Sequence, residues 1–354
     1  MLWLMALPRT AGVPPQRFDI MSGSAVSVAE LLARLASMAQ RSLALWGHSP
    51  AATAKLINLS ENATYRIDDP ASGGPAILRI HRVGYHSKEA INSELQWMAA
   101  LRREAGVETP EPIPAADGSM IQLLRSHDLA DPRHAVMFKF MTGSEPAEEG
   151  LAEPFVRLGE VSARMHQHAK GWTLPAGFTR HIWDYETSLG SKPHWGRWQD
   201  AMGLTPDRLK LLERLSQTIK RRLESFGMGH ERFGLVHADI RLANLLVEGT
   251  RTKVIDFDDS GFSWYLYDLG TALSFIEHRP DVPELVAAWL TGYRKVAALS
   301  AEDEAEIPTF IMLRRLLLVA WIGSHAETEL AQSQGVPFTE GACMLADKYL
   351  SKFA

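Results

Sequence analysis

Three short apolar runs, separated by polar residues at close spacing, constrain the fold of this chain more than any other feature. The runs begin at Phe233, Leu245 and Val254. Each run is long enough for only one buried strand, so the residues between them must form loops. Three polar residues in this region are Asp239, Asn244 and Asp256. The pattern predicts that their side chains lie on one rim of a small strand-loop-strand unit.

This rim has the chemistry of a phosphoryl-transfer site. Phosphoryl transfer requires an aligned acceptor hydroxyl and Mg²⁺ held against the phosphates, with little covalent help from the protein. The carboxylate of Asp239 is suited to accept the proton of the hydroxyl. Asn244 offers a neutral oxygen to a hard cation, and Asp256 offers a charged one. His237, two residues before Asp239, is interpreted as a residue that braces the loop.

Composition and charge argue against several other classes of protein. A net charge of -5 and a pI near 6.2 do not fit a nucleic-acid-binding protein, which usually carries a basic stripe. No run reaches the roughly 18 continuous apolar residues of a membrane span. The single cysteine, Cys343, excludes an internal disulfide and fits a reducing compartment, so we expect a cytoplasmic protein. Residues 1–25 are expected to be disordered or an extension.

Two segments resemble the aminoglycoside phosphotransferase and choline kinase family, whose members share the protein-kinase fold. The segment from Leu235 to Val247 is similar to the catalytic loop of that family, and the segment from Val254 to Gly270 is similar to its metal-binding segment. The Asp-Phe-Asp-Asp motif in the second segment most resembles that of the branch of type II homoserine kinases and bacterial stress-response kinases. The resemblance covers about residues 50 to 330.

The resemblance implies an α+β, bilobal, protein-kinase-like fold with ATP and Mg²⁺ as cofactors. Residues 26–142 are expected to form an N-terminal nucleotide-binding lobe with a small antiparallel sheet and one helix. Residues 143–354 are expected to form a larger, mainly helical C-terminal lobe with the catalytic and acceptor-binding groups. The oligomeric state is left open between monomer and homodimer.

In the N-terminal lobe, the resemblance places a base on the third strand and a glutamate on the following helix. Arg79 falls at the position of the base, where arginine replaces the commoner lysine and adds a planar fork. The helix is predicted from about Ser87 to Ala105, because apolar residues recur there at helical spacing. Glu94 lies on this helix. We therefore expect an ion pair between Glu94 and Arg79 that positions the nucleotide phosphates.

Other nucleotide contacts are predicted at the first hairpin and at the hinge between the lobes. The hairpin turn replaces a glycine-rich loop, so Ser60 and Asn62 are expected to contact phosphates. The last strand of the lobe is predicted to run into a hinge at Gly143. The resemblance places the adenine contacts near Lys139 to Met141, through backbone groups.

Several charged residues near the catalytic loop receive further roles. Arg241 stands two residues after the candidate base, where a cation can neutralise the transferring phosphoryl group. Asp258 is a candidate ligand of a second Mg²⁺, whereas Asp259 fits a turn. Asp268 is expected to brace the loop by capping a helix that begins at Leu269.

The acceptor pocket is expected to involve the C-terminal lobe. Residues 179–202 hold three tryptophans in a poorly periodic stretch that either walls the pocket or only packs over the lobe. The family builds acceptor pockets from its last helices. One such helix, predicted from Glu302 to His325, carries Arg314, Arg315 and Trp321. These residues do not distinguish a cationic acceptor from a zwitterion or a protein side chain.

The leading hypothesis is an ATP- and Mg²⁺-dependent kinase that phosphorylates the hydroxyl of a small metabolite. Amino alcohols, homoserine-like amino acids and aminosugars are all compatible with the motifs. A serine/threonine protein kinase of the stress-response type is the alternative within the same branch. A pseudokinase that binds nucleotide without turnover is the alternative outside enzymes, and the presence of the candidate base and both metal ligands argues against it.

Overall fold

The computed structural model of the protein describes residues 27–59, 62–146, 150–325 and 329–354. The predicted extension at residues 1–25 lies outside these ranges, and so does the predicted phosphate contact Ser60. Within them, the chain forms an antiparallel sheet that is followed by a mainly helical region. The predicted α+β fold is therefore confirmed.

Six strands form the antiparallel sheet of the N-terminal lobe. They are β1 (Thr53–Leu59), β2 (Ala63–Asp68), β3 (Ala76–Ile80), β4 (Pro112–Ile113), β5 (Gln122–Ser126) and β6 (Leu129–Lys139). Their order is β1-β2-β3-β6-β4, and β5 also pairs with β6. Successive side chains of a strand point to opposite faces. On β6, Met137 therefore joins the core of this lobe, whereas Val136 and Phe138 join the core of the C-terminal lobe.

A helix that the sequence analysis did not predict covers one face of this sheet. Helix α1 (Val28–Ser42) begins after Ser27, whose hydroxyl caps the helix. Leu35 and Met38 lie on one side of the helix and are buried in the same cluster as Tyr65 of β2. The described part of the N-terminal lobe therefore has two α-helices rather than the one expected.

Helix α2 (Lys88–Ala100) connects the two lobes. It is capped by Ser87 and continues into a π-helical turn at Leu101–Ala105, so the extent predicted for this helix is confirmed. Ile91 and Trp97 are buried in the core of the C-terminal lobe rather than in that of the sheet. This packing anchors the helix that carries Glu94 to the lobe that carries the catalytic loop.

Helices dominate the C-terminal lobe. They are α3 (Ala152–Gly171), α4 (Tyr185–Ser188), α5 (Pro206–Phe226), α6 (Tyr267–Ala272), α7 (Val282–Tyr293), α8 (Ala301–Ala305), α9 (Ile307–Ser324) and α10 (Glu329–Phe353). The single helix predicted from Glu302 to His325 is two helices, because Pro308 favours the first turn of a new helix. Helix α10 bends at Gly335, where the backbone is not helical.

Helix α9 is the central helix of the C-terminal core. By length and composition alone it is apolar enough to cross a membrane, but 72% of it is buried inside the protein. Its apolar character is therefore explained by packing against its neighbours, chiefly α10 and α6.

Short strands in this lobe carry the polar motif. Strand β8 (Phe233–Val236) pairs antiparallel with β11 (Gly261–Trp264), which pairs parallel with β7 (His181–Ile182). Strands β9 (Leu245–Glu248) and β10 (Arg251–Val254) form a hairpin. The catalytic loop, residues 237–244, lies between β8 and β9, and the acidic loop, residues 255–260, lies between β10 and β11. The hairpin brings the two loops side by side.

Candidate active site

The catalytic loop is held by a buried carboxylate from helix α6. Asp268 accepts hydrogen bonds from the backbone N–H of Ala238 at 2.8 Å and of His237 at 3.2 Å. It also contacts Nε2 of His166 at 2.9 Å. These bonds hold Ala238 at a positive φ of 66°, a conformation that needs support in a residue other than glycine. Asp268 lies inside the first turn of α6, so it braces the loop directly and does not cap the helix as predicted.

His237 links the catalytic loop to the acidic loop. Its Nε2 lies 3.0 Å from the carbonyl oxygen of Ile255, and its Nδ1 accepts the N–H of Asp239 at 3.3 Å. Burial lowers the pKa of the His237 imidazole. A neutral ring that donates at Nε2 and accepts at Nδ1 satisfies both contacts. This arrangement agrees with the predicted bracing role.

The side chain of Asn244 contacts the candidate base, Asp239, across the catalytic loop. A 3₁₀ turn, Leu242–Asn244, places its amide Nδ2 3.0 Å from Oδ2 of Asp239 and 2.8 Å from the backbone oxygen of the same residue. Both contacts use the amide nitrogen, so the amide oxygen remains available to a cation. The two residues, which are five positions apart in the sequence, are therefore in direct contact through their side chains.

Asp256 lies deep in the cleft between the lobes, where solvent reaches the side chain although protein surrounds it. This enclosure raises the pKa of Asp256 to about 7, and the neighbouring carboxylate of Asp258 adds to the effect. Its φ of 63° is again in the left-handed region. A cation bound beside Asp256 would offset both effects, because it favours the charged form of the carboxylate.

The donor set of the two loops fits Mg²⁺ bound together with a nucleotide. No three histidine, cysteine, aspartate or glutamate side chains among the described residues converge closely enough to hold a metal ion alone. Mg²⁺ commonly takes only one or two protein ligands and completes its shell with phosphate oxygens and water. The amide oxygen of Asn244 and the carboxylate of Asp256 would supply such a pair.

Arg79 and Glu94 form the predicted ion pair. Nη2 of Arg79 lies 2.7 Å from Oε1 of Glu94, and both side chains are buried. Burial lowers the pKa of the Arg79 guanidinium, but Glu94 and Asp258 raise it more, so the pKa lies above its ordinary value. The arginine is therefore a permanent cation on the N-terminal side of the cleft.

A second buried arginine, which the sequence analysis missed, fastens the acidic loop to helix α2. Arg180 donates to the carbonyl oxygens of Ser260 at 2.6 Å and Ala90 at 3.0 Å, and it also binds the carbonyl of Asp258. Its Nη1 lies 3.9 Å from Oε2 of Glu94. Arg180 stands in an irregular segment without periodic signal, so only the tertiary contacts reveal its role.

The carboxylate of Asp258 faces histidines of the N-terminal lobe. It lies 3.6 Å from Nδ1 of His81 and 3.7 Å from Nε2 of His86, and it is buried. Asp258 thus lies near Asp256 but in contact with the other lobe. Its role as a ligand of a second Mg²⁺ stays a prediction.

The remaining residues predicted to contact the nucleotide lie on the hairpin and at the hinge. Asn62 is buried, and its side-chain oxygen accepts the N–H of Arg82 at 3.2 Å. Lys139 is exposed, its Nζ is 2.7 Å from Glu111, and its N–H binds the carbonyl of the same glutamate. The Lys139 N–H is therefore already used, which favours the backbone of Met141 over that of Lys139 for adenine. Adenine contact by either residue stays a prediction.

Two arginines contact the candidate base. Nε of Arg241 lies 3.4 Å from Oδ2 of Asp239, and the Arg241 side chain is partly exposed. Nη2 of Arg314, from helix α9, lies 2.6 Å from Oδ1. Arg314 was expected only as part of an acceptor region. Arg315, its neighbour, binds Glu277 and lies away from the base.

Aromatic residues from two segments lie beside this part of the site. Trp195 donates from Nε1 to the hydroxyl of Tyr85 at 3.1 Å, and that hydroxyl in turn binds the carboxylate of Asp259. The ring of Trp195 also lies against the guanidinium of Arg314. Trp195 and Trp198 are both buried in the core of the lobe. The stretch around residues 179–202 thus both packs over the lobe and contributes one wall near the base.

The fold and these loops are those of a phosphotransferase. The chain matches the Phosphotransferase enzyme family over residues 53–305, and it belongs to that family. The family resemblance seen in the sequence is confirmed, and so are the enzyme class and the protein-kinase-like fold.

Solved structures and relatives agree with this assignment. A microcompartment-associated aminopropanol kinase is 46% identical, with a TM-score of 0.83 over 89% of this chain and 98% of that chain. An amicoumacin kinase solved with AMP-PNP and Ca²⁺ is 22% identical, with a TM-score of 0.74 over 91% of this chain and 96% of that chain. A homoserine kinase of Gluconobacter oxydans is 27% identical over 66% of this chain and 73% of its own length. The predicted cofactors, ATP and Mg²⁺, are consistent with the nucleotide analogue and divalent cation of the second of these.

Proposed function

We propose that this protein transfers the γ-phosphoryl group of ATP, with Mg²⁺, to the hydroxyl of a small amine-bearing alcohol of the aminopropanol class. The observation that carries the acceptor class is the 46% identity to an aminopropanol kinase across almost the whole of that chain. The convergence of Asp239, Asn244 and Asp256 in one cleft supports the transfer itself.

Each residue of the cleft has a defined part in this proposal. When bound, ATP would supply the phosphoryl group and Mg²⁺ would neutralise the phosphate oxygens. Asn244 and Asp256 would hold the cation, and Arg79 would hold phosphates from the opposite side. Asp239 would orient the acceptor hydroxyl and take its proton as the new O–P bond forms and the bond between the γ-phosphorus and the leaving ADP oxygen breaks. Arg241 adds positive charge beside the transferring group.

An amine on the acceptor suits the charges near the base. Burial is the main cause of the raised pKa of Tyr267, and Tyr267 and Asp239 are the main causes of the raised pKa of Arg314; the nearby negative charge of Asp259 adds to both. A carboxylate next to aromatic rings is a favourable environment for an ammonium group. A homoserine-like amino acid is the second candidate, because a homoserine kinase is among the relatives.

A panel assay of ADP release tests the proposal. The panel contains 1-amino-2-propanol, the same alcohol without its amine, homoserine, an aminosugar and a generic protein substrate. We expect the amino alcohol to be phosphorylated fastest, and the amine-free alcohol and the protein to react poorly. Asp239→Asn is the inactive control. Activity confined to the protein substrate would overturn the proposal in favour of a protein kinase. Activity confined to homoserine would show that the acceptor is a homoserine-like amino acid and not an amino alcohol.

The wider setting follows from the same proposal. We propose that residues 26–142 and 143–354 act as separate lobes about the hinge at Gly143, and that the enzyme works in the cytoplasm as a monomer or homodimer. The acidic net charge supports the absence of a nucleic-acid partner.

A further inference from the structure

Arg314 is a buried cation in direct contact with the candidate base. It is 2% exposed and lies near the middle of helix α9. Its Nη2 donates to Oδ1 of Asp239 at 2.6 Å, and its Nε donates to the hydroxyl of Ser274 at 2.9 Å. Its Nη1 lies 3.2 Å from the hydroxyl of Tyr267 and 3.4 Å from the carbonyl oxygen of Ala238. Every nitrogen of the guanidinium thus has a partner.

The surroundings keep this guanidinium charged and fixed. Burial lowers the pKa of Arg314, but Tyr267 and Asp239 raise it more, so the pKa lies above its ordinary value. The rings of Trp195 and Tyr267 lie 5.1 Å and 5.9 Å from the guanidinium carbon. A planar fork held by three side chains and flanked by two rings has little freedom to rotate.

We propose that Arg314 is the positioning residue of Asp239, and that it fixes the carboxylate rotamer in which Oδ2 meets the acceptor hydroxyl. This inference rests on the proposed role of Asp239. Because Arg314 holds Oδ1, the other oxygen is the one on the side of Asn244 and its cation site. The acceptor hydroxyl must meet that oxygen in line with the phosphoryl group. A displacement of the base by about 1 Å is enough to cost roughly 100-fold in rate.

The chain offers a matched control in the next residue. Arg315 stands on the same helix and is also 2% exposed. It forms an ion pair with Glu277 at 2.8 Å, which is more completely buried than the pair of Arg314 with Asp239, and it donates to the carbonyl oxygen of Phe338 at 2.8 Å. Loss of either arginine leaves buried polar groups without a partner, and so both losses should destabilise the fold. Only the loss of Arg314 removes a contact with Asp239.

Steady-state kinetics of Arg314→Met and Arg315→Met, with the thermal midpoint of each variant, test the proposal. We expect both midpoints to fall. The kcat of Arg314→Met should fall about 100-fold, with a KM for ATP within about threefold of the wild-type value, because the nucleotide contacts are untouched. The kcat of Arg315→Met should stay within about threefold. Equal losses of kcat in the two variants would overturn the proposal.

Two further variants keep the test decisive. Arg314→Lys keeps the charge but cannot bind Asp239, Ser274 and Tyr267 together, so its kcat should fall at least tenfold even if Arg314→Met does not fold. Full activity of Arg314→Lys would overturn the proposal.

The double variant Asp239→Asn/Arg314→Met should be no slower than Asp239→Asn, because the two residues act as one unit. If Asp239→Asn itself stays active, the proposed function fails. If Asp239→Asn is inactive but Arg314→Met behaves like Arg315→Met, only the present inference fails.

Discussion

Glu94 and Arg79 meet across 2.7 Å in a buried ion pair that joins helix α2 to strand β3. Helix α2 is packed into the core of the C-terminal lobe, whereas β3 lies in the middle of the sheet. The pair therefore sets the distance between the two sides of the nucleotide cleft. It forms as the resemblance predicted, and its role toward the phosphates is open to measurement.

Replacing either member of the pair should weaken both ATP use and turnover. Arg79→Ala should raise the KM for ATP and lower kcat, and Glu94→Ala should do the same more mildly, because Arg79 keeps its positive charge when Glu94 is lost. The double variant should cost less than the sum of the single changes. A double-mutant cycle on kcat/KM checks this, and strict additivity would show that the pair does not act as a unit.

Mg²⁺ should strengthen ATP binding through Asp256. The carboxylates of the acidic loop repel phosphates unless a cation lies between them. In Asp256→Ala, the gain in ATP affinity on adding Mg²⁺ should largely disappear. Asp259→Asn is the control, because it removes the same charge three residues away. Calorimetric titration with Mg²⁺ and with excess chelator checks the prediction, and an unchanged Mg²⁺ effect in Asp256→Ala would contradict the assignment.

Asp268→Ala should destabilise the protein because it leaves two buried backbone N–H groups and a buried histidine without their acceptor. We expect a loss of about 3 kcal/mol in the free energy of unfolding. Urea unfolding with an unchanged m-value measures it. Asp281→Ala, which removes a partly exposed carboxylate paired with Arg279, should leave the unfolding midpoint nearly unchanged. Equal midpoints for the two variants would refute the bracing role.

Gly270→Ala should reduce activity although Gly270 itself does not contact the candidate base. A β-carbon at this position would lie 2.6 Å from the carbonyl oxygen of Phe310 and 3.4 Å from the β-carbon of Arg314. Helices α6 and α9 would have to separate, and Arg314 would withdraw from Asp239. We expect kcat to fall about tenfold.

Gly159→Ala creates a closer clash between α3 and α7, where the added carbon would lie 1.9 Å from the carbonyl oxygen of Trp289. It should lower the thermal midpoint with a much smaller effect on kcat. Kinetics matched to thermal melts separate the two effects, and a kcat for Gly270→Ala equal to that of Gly159→Ala would contradict the expected path through Arg314.

Short-range spacing explains why much of the site could be predicted from the sequence. Asp239 and Asn244 are five residues apart in one loop, and a hairpin of two short strands brings Asp256 beside them. Turns and strands of this length leave few alternative arrangements. Helix α1 also has a short-range signal in its sequence, because Leu31, Leu35 and Met38 recur at helical spacing.

The sequence by itself determined the reaction class, the candidate base and metal ligands, and the pairing of Arg79 with Glu94. Only the tertiary structure decided that Arg314 and Arg180 hold these groups in place. Arg314 is 75 residues from Asp239, and Arg180 is 90 residues from Ala90. The sequence pattern around a buried arginine does not reveal its partner. The packing of helices and loops determines which group the arginine contacts, and local backbone preference does not.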